Sequence, residues 1–112
     1  MKLVVAIIKP FKLDDVKAAV QALGVQGLTT TNVQGFGRQR GHTEVYRGAE
    51  YTVEFVPKIK VEILVDDEDA PRVVETLIEA ARTGSIGDGK VWTTPVEDVH
   101  RVRTGEAGSD AI

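Results

Sequence analysis

Leu3-Val-Val-Ala-Ile-Ile8 is an unbroken run of apolar, mostly branched residues closed by Lys9-Pro10. It predicts a strand buried on both faces, and so central in its sheet. From Lys12 to Leu23 the period changes. Leu13, Val16, Ala19, Val20 and Leu23 recur at helical spacing, with Asp14, Asp15, Lys17 and Gln21 on the other side. The acidic pair in the first turn suits the helix dipole, and Gly24 closes the helix. A second strand is expected from about Leu28 to Phe36, through Thr29, Thr30 and Thr31. After Pro57, Ile59, Val61, Ile63 and Val65 alternate with Lys58, Lys60, Glu62 and Leu64, a half-buried strand with a charged second face. Asp66 to Asp69 and Pro71 mark a helix start, and Val73, Val74, Leu77, Ile78 and Ala81 form its buried stripe. Thr83 to Lys90 reads as a glycine-rich turn and Val91 to Thr94 as a short last strand. From Val99 the chain is expected to extend again before a polar tail, about residues 106–112.

The order strand, helix, strand, strand, helix, strand repeats one unit twice. It predicts a ferredoxin-like βαββαβ α+β sandwich, four antiparallel strands with both helices on one face. Residues 38–56, between the second and third strands, are a long connection for such a domain. Connections of that length are usually functional loops. Tyr51, Val53 and Phe55 alternate with Thr52, Glu54 and Val56, so strand-like stems with a mobile tip are expected there. The second sheet face needs a cover. Water suffices for Lys58, Lys60 and Glu62; another subunit better covers the apolar residues that share their face.

Composition narrows the function. The 112 residues with 42% hydrophobic content support a single domain, 1–112. With 14 Lys+Arg against 17 Asp+Glu the net charge is −3, which does not favour nucleic acid. Cysteine is absent, which excludes disulfides, thiol catalysis and Cys-based zinc sites, and His42 and His100 are too few for a multi-His metal site. Leu3 to Ile8 falls well short of the ~20 residues of a membrane span, so a cytoplasmic protein is the default expectation.

Four constellations carry candidate chemistry. Thr83-Gly-Ser-Ile-Gly-Asp-Gly-Lys90 matches G-x-x-x-x-G-K, but Val91 stands where a phosphate loop has its magnesium-binding Ser/Thr, and the segment runs from helix to strand instead of strand to helix. That argues against a P-loop NTPase. An anion cradle survives, in which backbone N–H groups converge and Lys90 adds a cation; an ordinary glycine turn is the alternative. Arg101-Val-Arg103, if extended, would point two guanidiniums the same way, a clamp suited to phosphate oxygens; a solvated edge segment is the alternative. Gly35-Phe-Gly-Arg-Gln-Arg-Gly41 reads as a hinge with polar arms or an exposed turn, and His42 is given no catalytic role. Tyr51 sits in a polar loop, accessible to another enzyme or half-buried as tyrosine usually is. No nucleophile, acid–base pair or metal-ligand spacing stands out, so no catalytic residue is assigned and the protein is not expected to be an enzyme.

These residues resemble one family. Lys9-Pro-Phe-Lys-Leu-Asp-Asp15, Gly35 to His42, Glu44-Val-Tyr-Arg-Gly-Ala-Glu-Tyr51, Thr83 to Lys90 and Arg101-Val-Arg-Thr-Gly105 are similar, in order and at matching spacing, to the nitrogen regulatory PII signalling proteins. Several unrelated motifs agree at once, and nearly the whole chain is covered. Arg40, Ser85 and Leu64 stand where many members have Lys, Lys and Val. The resemblance implies a homotrimer with ATP or ADP bound in the clefts between subunits. With ATP and Mg2+, it implies 2-oxoglutarate at the base of the long loop. Carried over by position, Gly87, Asp88, Gly89 and Lys90 cradle the phosphates; Arg101 and Arg103 of the neighbouring subunit neutralise them; and Gly37 and Arg38 close the cleft. Thr29, Glu62 and Leu64 surround adenine and ribose. Gln39 completes the magnesium shell. Gln39, Arg40, Gly41, Lys58 and Gly87 hold 2-oxoglutarate, with Lys58 on a carboxylate.

Tyr51 resembles the residue that receives a uridylyl or adenylyl group, and Arg47 the one that enters an ammonium transporter's pore. The expected partners are therefore that transporter, the protein's route to a membrane, and the nucleotidyltransferase and other regulators of glutamine synthetase. Two anions beside a hinge can bias a loop between states, and the loop moves only as far as the ligand prefers one of them. ATP with 2-oxoglutarate would report carbon excess, and ADP the opposite. The rival is a small nucleotide or phosphate-ester hydrolase on the same fold, which a turnover assay separates. An RNA-binding sheet would need exposed aromatics on its central strands, and Lys58 to Val65 offers none.

Overall fold

The computed structural model describes residues 1–37, 43–46, 49–52 and 55–112, with side chains described outside 38–54. Strand β1 spans Lys2–Ile8, a short 3-10 turn Pro10–Lys12, helix α1 Leu13–Ala22 and strand β2 Thr29–Gly35. Strands β3 (Thr43–Tyr46) and β4 (Ala49–Thr52) follow, then β5 (Val56–Val65), helix α2 (Ala70–Ala81), β6 (Lys90–Pro95) and a 3-10 turn Gly108–Ala111. β1 pairs antiparallel with β5 and β6, and β5 with β2, so the main sheet runs β2-β5-β1-β6. With both helices against one face, this is the ferredoxin-like α+β fold, and β1 is central as its composition requires. β3 and β4 form a separate antiparallel hairpin, Thr43 opposite Thr52 and Tyr46 opposite Ala49, inside the long connection. Arg38, Gln39, Arg40, Gly41 and Arg47 lie outside the described residues.

The core follows from two periods meeting. Val4, Ala6 and Ile8 of β1 and Val61, Ile63 and Val65 of β5 point to the helical layer at every second residue. Val16 and Val20 of α1, and Ala70, Val73, Leu77 and Ala81 of α2, return at helical spacing to meet them. Each such aliphatic side chain, fully buried, contributes about 1.5–3 kcal/mol by area. The opposite sheet face is mixed. Leu3, Val5 and Ile7 share it with Glu62, Leu64 and Trp92, and Val5 is buried although Leu64 and Trp92 are exposed.

Four expectations need correction. Asp66–Asp69 are not the first turn of α2. They form a turn ahead of it, closed by Asp69 N–H donating to the Asp66 carbonyl at 3.0 Å, and the helix begins at Ala70. Ile78 is not in the buried stripe, because Val73, Leu77 and Ala81 already repeat every four residues and leave it exposed at the edge. Lys58 is not solvated but buried. Nor does the chain extend after Val99. Gly105 N–H donates to the Arg101 carbonyl and Arg101 N–H to the Glu106 carbonyl, both at 2.8 Å, and a turn results. The polar stretch after it folds back. Gly108 N–H donates to the Val99 carbonyl at 2.9 Å, and Ser109 Oγ donates to Asp66 Oδ1 at 2.6 Å. Among the described residues no helix is long and apolar enough to cross a membrane.

Candidate functional site

The connection between α2 and β6 is wound around one carboxylate. The N–H groups of Thr83 and Gly84 each donate to Asp88 Oδ2 at 2.8 Å, and the Thr83 hydroxyl donates to Asp88 Oδ1. Ser85 N–H donates to Thr83 Oγ1 at 3.2 Å. Lys9, at the end of β1, donates from Nζ to Thr83 Oγ1 at 3.1 Å and pairs with Asp88 Oδ1 at 3.1 Å. The Thr83 hydroxyl first, then the backbone and Lys9 donors, hold the Asp88 carboxyl well below its ordinary 3.8, against a smaller opposing effect of burial. So the amides of 83 and 84 do not converge on an outside anion; Asp88 has taken them. What remains for a ligand is the Gly87–Lys90 end of the turn.

That end is pressed onto β1. Gly89 has φ +101°, and a Cβ there would lie 1.6 Å from the Ile7 carbonyl oxygen, so only glycine fits. Lys90 then enters the sheet opposite Ile7 with its side chain exposed. From the far side Lys58 of β5 donates from Nζ to the Gly87 carbonyl at 2.5 Å. Burial pulls the Lys58 ammonium below its ordinary 10.5; the nearby Lys9 charge adds to this and Asp88 opposes it. Gly37 follows β2 at this same end of the sheet, since Val33 pairs with Lys58 and Gly35 with Val56.

Thr29, Glu62 and Leu64 gather elsewhere. Thr29 lies directly opposite Glu62 across β2 and β5. All three line a cleft of about 820 Å³, together with Arg72 of α2 and Ser109 and Ile112 of the terminal segment. Lys60 reaches Glu62 at 3.9 Å. Arg101 joins this second group through Ile112, whose carbonyl oxygen accepts from Nη2 at 3.2 Å, while Nη1 pairs with Glu106 Oε1 at 3.3 Å. Arg103 is exposed on the turn, so the extended backbone that would aim both guanidiniums the same way is not what this segment adopts. Tyr51 lies on β4, opposite Glu44. The cradle at Lys58 and the cleft at Glu62 are separated by four residues of β5, about 13 Å at ~3.3 Å per residue.

Sequence reasoning passed over Lys9 and gave Thr83 no role. Lys9 carried a signal, a cation ending an otherwise apolar strand, but its partners lie more than seventy positions away.

The chain thus combines a four-stranded ferredoxin-like sheet, a turn wound around the Asp88 carboxylate, a separate cleft and a hairpin within its long connection. The family model for Nitrogen regulatory protein P-II matches residues 1–106. The chain is 61% identical to the Nitrogen regulatory protein P-II of Rhizobium meliloti (strain 1021) and 58% identical to that of Azospirillum brasilense, in each case over 100% of both chains. A crystal structure of Arabidopsis thaliana PII bound to citrate superposes with a TM-score of 0.82 at 40% identity, covering 99% of this chain and 91% of that one. The chain belongs to the nitrogen regulatory protein P-II family, whose members are regulatory signal-transduction proteins.

Proposed function

We propose that this protein senses nitrogen, carbon and energy status by binding ATP or ADP, and 2-oxoglutarate, between the subunits of a homotrimer. The observation that carries the reading is the division of the candidate residues into two groups about 13 Å apart along β5. Gly37, Lys58 and Gly87–Lys90 lie at one end, and Thr29, Glu62, Leu64 and Arg101 around the cleft. A single nucleotide could span that distance, with one copy's cradle on its phosphates and another copy's cleft on its adenine and ribose. Adenine and ribose then sit by Thr29, Glu62 and Leu64. The phosphates meet the Gly87, Asp88, Gly89 and Lys90 backbone, the Lys90 ammonium, and Arg101 and Arg103 of the neighbour.

Magnesium would travel with the phosphate oxygens and Gln39. Asp88 does not fit as its ligand, since its carboxylate already faces the donors of Thr83, Gly84 and Lys9. Lys58 is a buried ammonium at the cradle, and its charge would suit a carboxylate of 2-oxoglutarate. Citrate in the Arabidopsis thaliana PII structure is a polycarboxylate of the same chemical kind.

Occupancy, not turnover, would be the output. Residues 38–56, with Gly37 and Arg38 at the hinge and Gln39, Arg40 and Gly41 beside 2-oxoglutarate, would carry it to an ammonium transporter and to regulators of glutamine synthetase in the cytoplasm. Arg47 and Tyr51 would be the transporter contact and the nucleotidylylated residue. Calorimetry of 2-oxoglutarate with ATP–Mg2+, with ADP, and alone tests the reading. Binding that requires ATP–Mg2+ is the expected result, and binding indifferent to nucleotide refutes the coupled site. Multiple-turnover hydrolysis above ~1 s⁻¹ would favour the hydrolase instead.

A further inference from the structure

We propose that Lys9 is a positioning residue for the phosphate cradle, acting through Asp88 and Thr83 to seat the Gly87–Lys90 turn and to cancel a carboxylate that would otherwise repel the ligand. The proposal rests on the nucleotide reading above. It starts from the geometry of Asp88. A carboxylate has about four acceptor sites. Here they face Thr83 N–H, Gly84 N–H, the Thr83 hydroxyl and the Lys9 ammonium. Asp88 therefore offers a ligand its backbone, not its side chain, although it sits within the segment that would bind phosphate.

The fold places Lys9 there firmly. It ends the central strand, is buried, and is followed by Pro10, and its carbonyl accepts from Lys12 N–H at 3.0 Å. A buried ammonium is costly unless it is paired and hydrogen-bonded. Thr83 and Asp88 pair this one, and Thr83 Oγ1 ties the two charges together while accepting from Ser85 N–H. Lys9 therefore fastens the turn to β1 at its start, as Lys58 holds it at Gly87 from β5. Without Lys9 the carboxylate would keep its backbone donors but lose the cation in direct contact with it, and its charge beside the phosphates would be less well offset. The penalty then grows with ligand charge, which a loss of fold would not produce.

The test is calorimetric titration of ATP, ADP and adenosine into the full-length protein and its variants. Lys9→Met is expected to weaken ATP about tenfold or more, ADP less, and adenosine by less than about twofold. Lys9→Arg, which keeps the charge, is expected to stay within about threefold of the unaltered protein for all three ligands. Adding Asp88→Asn to Lys9→Met removes the carboxylate charge itself and is expected to recover at least about threefold in ATP affinity. Equal losses for ATP and adenosine, no rescue by arginine, or no recovery in the double variant would each overturn the proposal. Should Lys9→Met fail to fold, Lys9→Gln is measured in its place. It removes the charge that pairs with Asp88 while leaving a polar group beside Thr83, and the same charge-graded order is required of it. An unaltered protein that takes no ATP would refute the nucleotide reading itself, a result distinct from any of these.

Discussion

Gly89→Ala is the sharpest perturbation of the turn. At φ +101° any L side chain is strained, by about 1–2 kcal/mol. The new Cβ would also stand 1.6 Å from the Ile7 carbonyl oxygen and 2.7 Å from its carbonyl carbon, both backbone atoms of the central strand. Ordinary contact near 3.5 Å needs a retreat of about 2 Å. That retreat pulls Lys90 from its place opposite Ile7, where the loss of one or two ladder hydrogen bonds costs about 1 kcal/mol each. The sum is about 2–4 kcal/mol out of the ~5–15 typical of a domain. In a domain of this size it should lower the melting temperature by about 8–20 °C.

Two other glycines separate the components of this loss. Gly24 has φ +95° but open space around it, so Gly24→Ala should show strain alone, about 1–2 kcal/mol. Gly27 has neither positive φ nor a neighbour, and Gly27→Ala should stay within about 0.5 kcal/mol. Thermal and urea denaturation of the three variants, followed by circular dichroism, reads the series. If Gly89→Ala loses no more than Gly24→Ala, the turn is not pressed against β1 and the geometry assigned to the cradle is wrong.

Leu77 is fully buried at the centre of the helical layer, and Leu77→Ala should cost about 2–5 kcal/mol in urea denaturation; a smaller loss would mean the layer collapses to fill the gap. Asp88 has its carboxyl held below 3.8, so its stabilising effect is complete above that pH and fades as the pH falls through the folded-state value. Asp88→Asn should therefore be less stable than the unaltered protein at pH 7, and the gap should close below pH 3.8, as an acid-denaturation series would register. Lys58→Met should remove most 2-oxoglutarate binding while changing ATP affinity less, and equal losses in the two titrations would contradict the assignment of Lys58 to the carboxylate.

Periodicity could reveal what lies within one element, and here it did. The alternation of Ile59 to Val65 and the four-residue repeat Val73, Leu77, Ala81 are visible in the letters and recur in the core. It failed where contacts between distant segments decide. Asp66–Asp69 reads as an acidic first turn, and although α2 does start there with Asp69 as its N-cap, the acidic residues form a turn ahead of it, where Asp66 accepts from Ser109, forty-three positions away. Arg101 and Arg103 were read on an extended chain, and the turn they occupy instead is a matter of backbone hydrogen bonds no composition reports. Lys9 was legible as a charge ending an apolar strand, but not as the partner of Thr83 and Asp88, which only the folding of α2 back across β1 brings near. The family motifs named the candidate residues; the separation of the cradle from the cleft needed the register of β5.

The most direct test of a nucleotide held across subunits is complementation between two defective variants. Lys90→Ala removes the cation of the cradle, and Arg101→Ala removes the cation beside the cleft. Each alone should bind ATP weakly. Refolded together in equal amounts, they should regain about a quarter of full ATP-binding capacity at unaltered affinity, because a random mixture seats an intact cradle against an intact neighbour in that share of interfaces. Recovery of no high-affinity sites in a mixture whose subunits have demonstrably exchanged would place both groups in one chain and contradict the shared site.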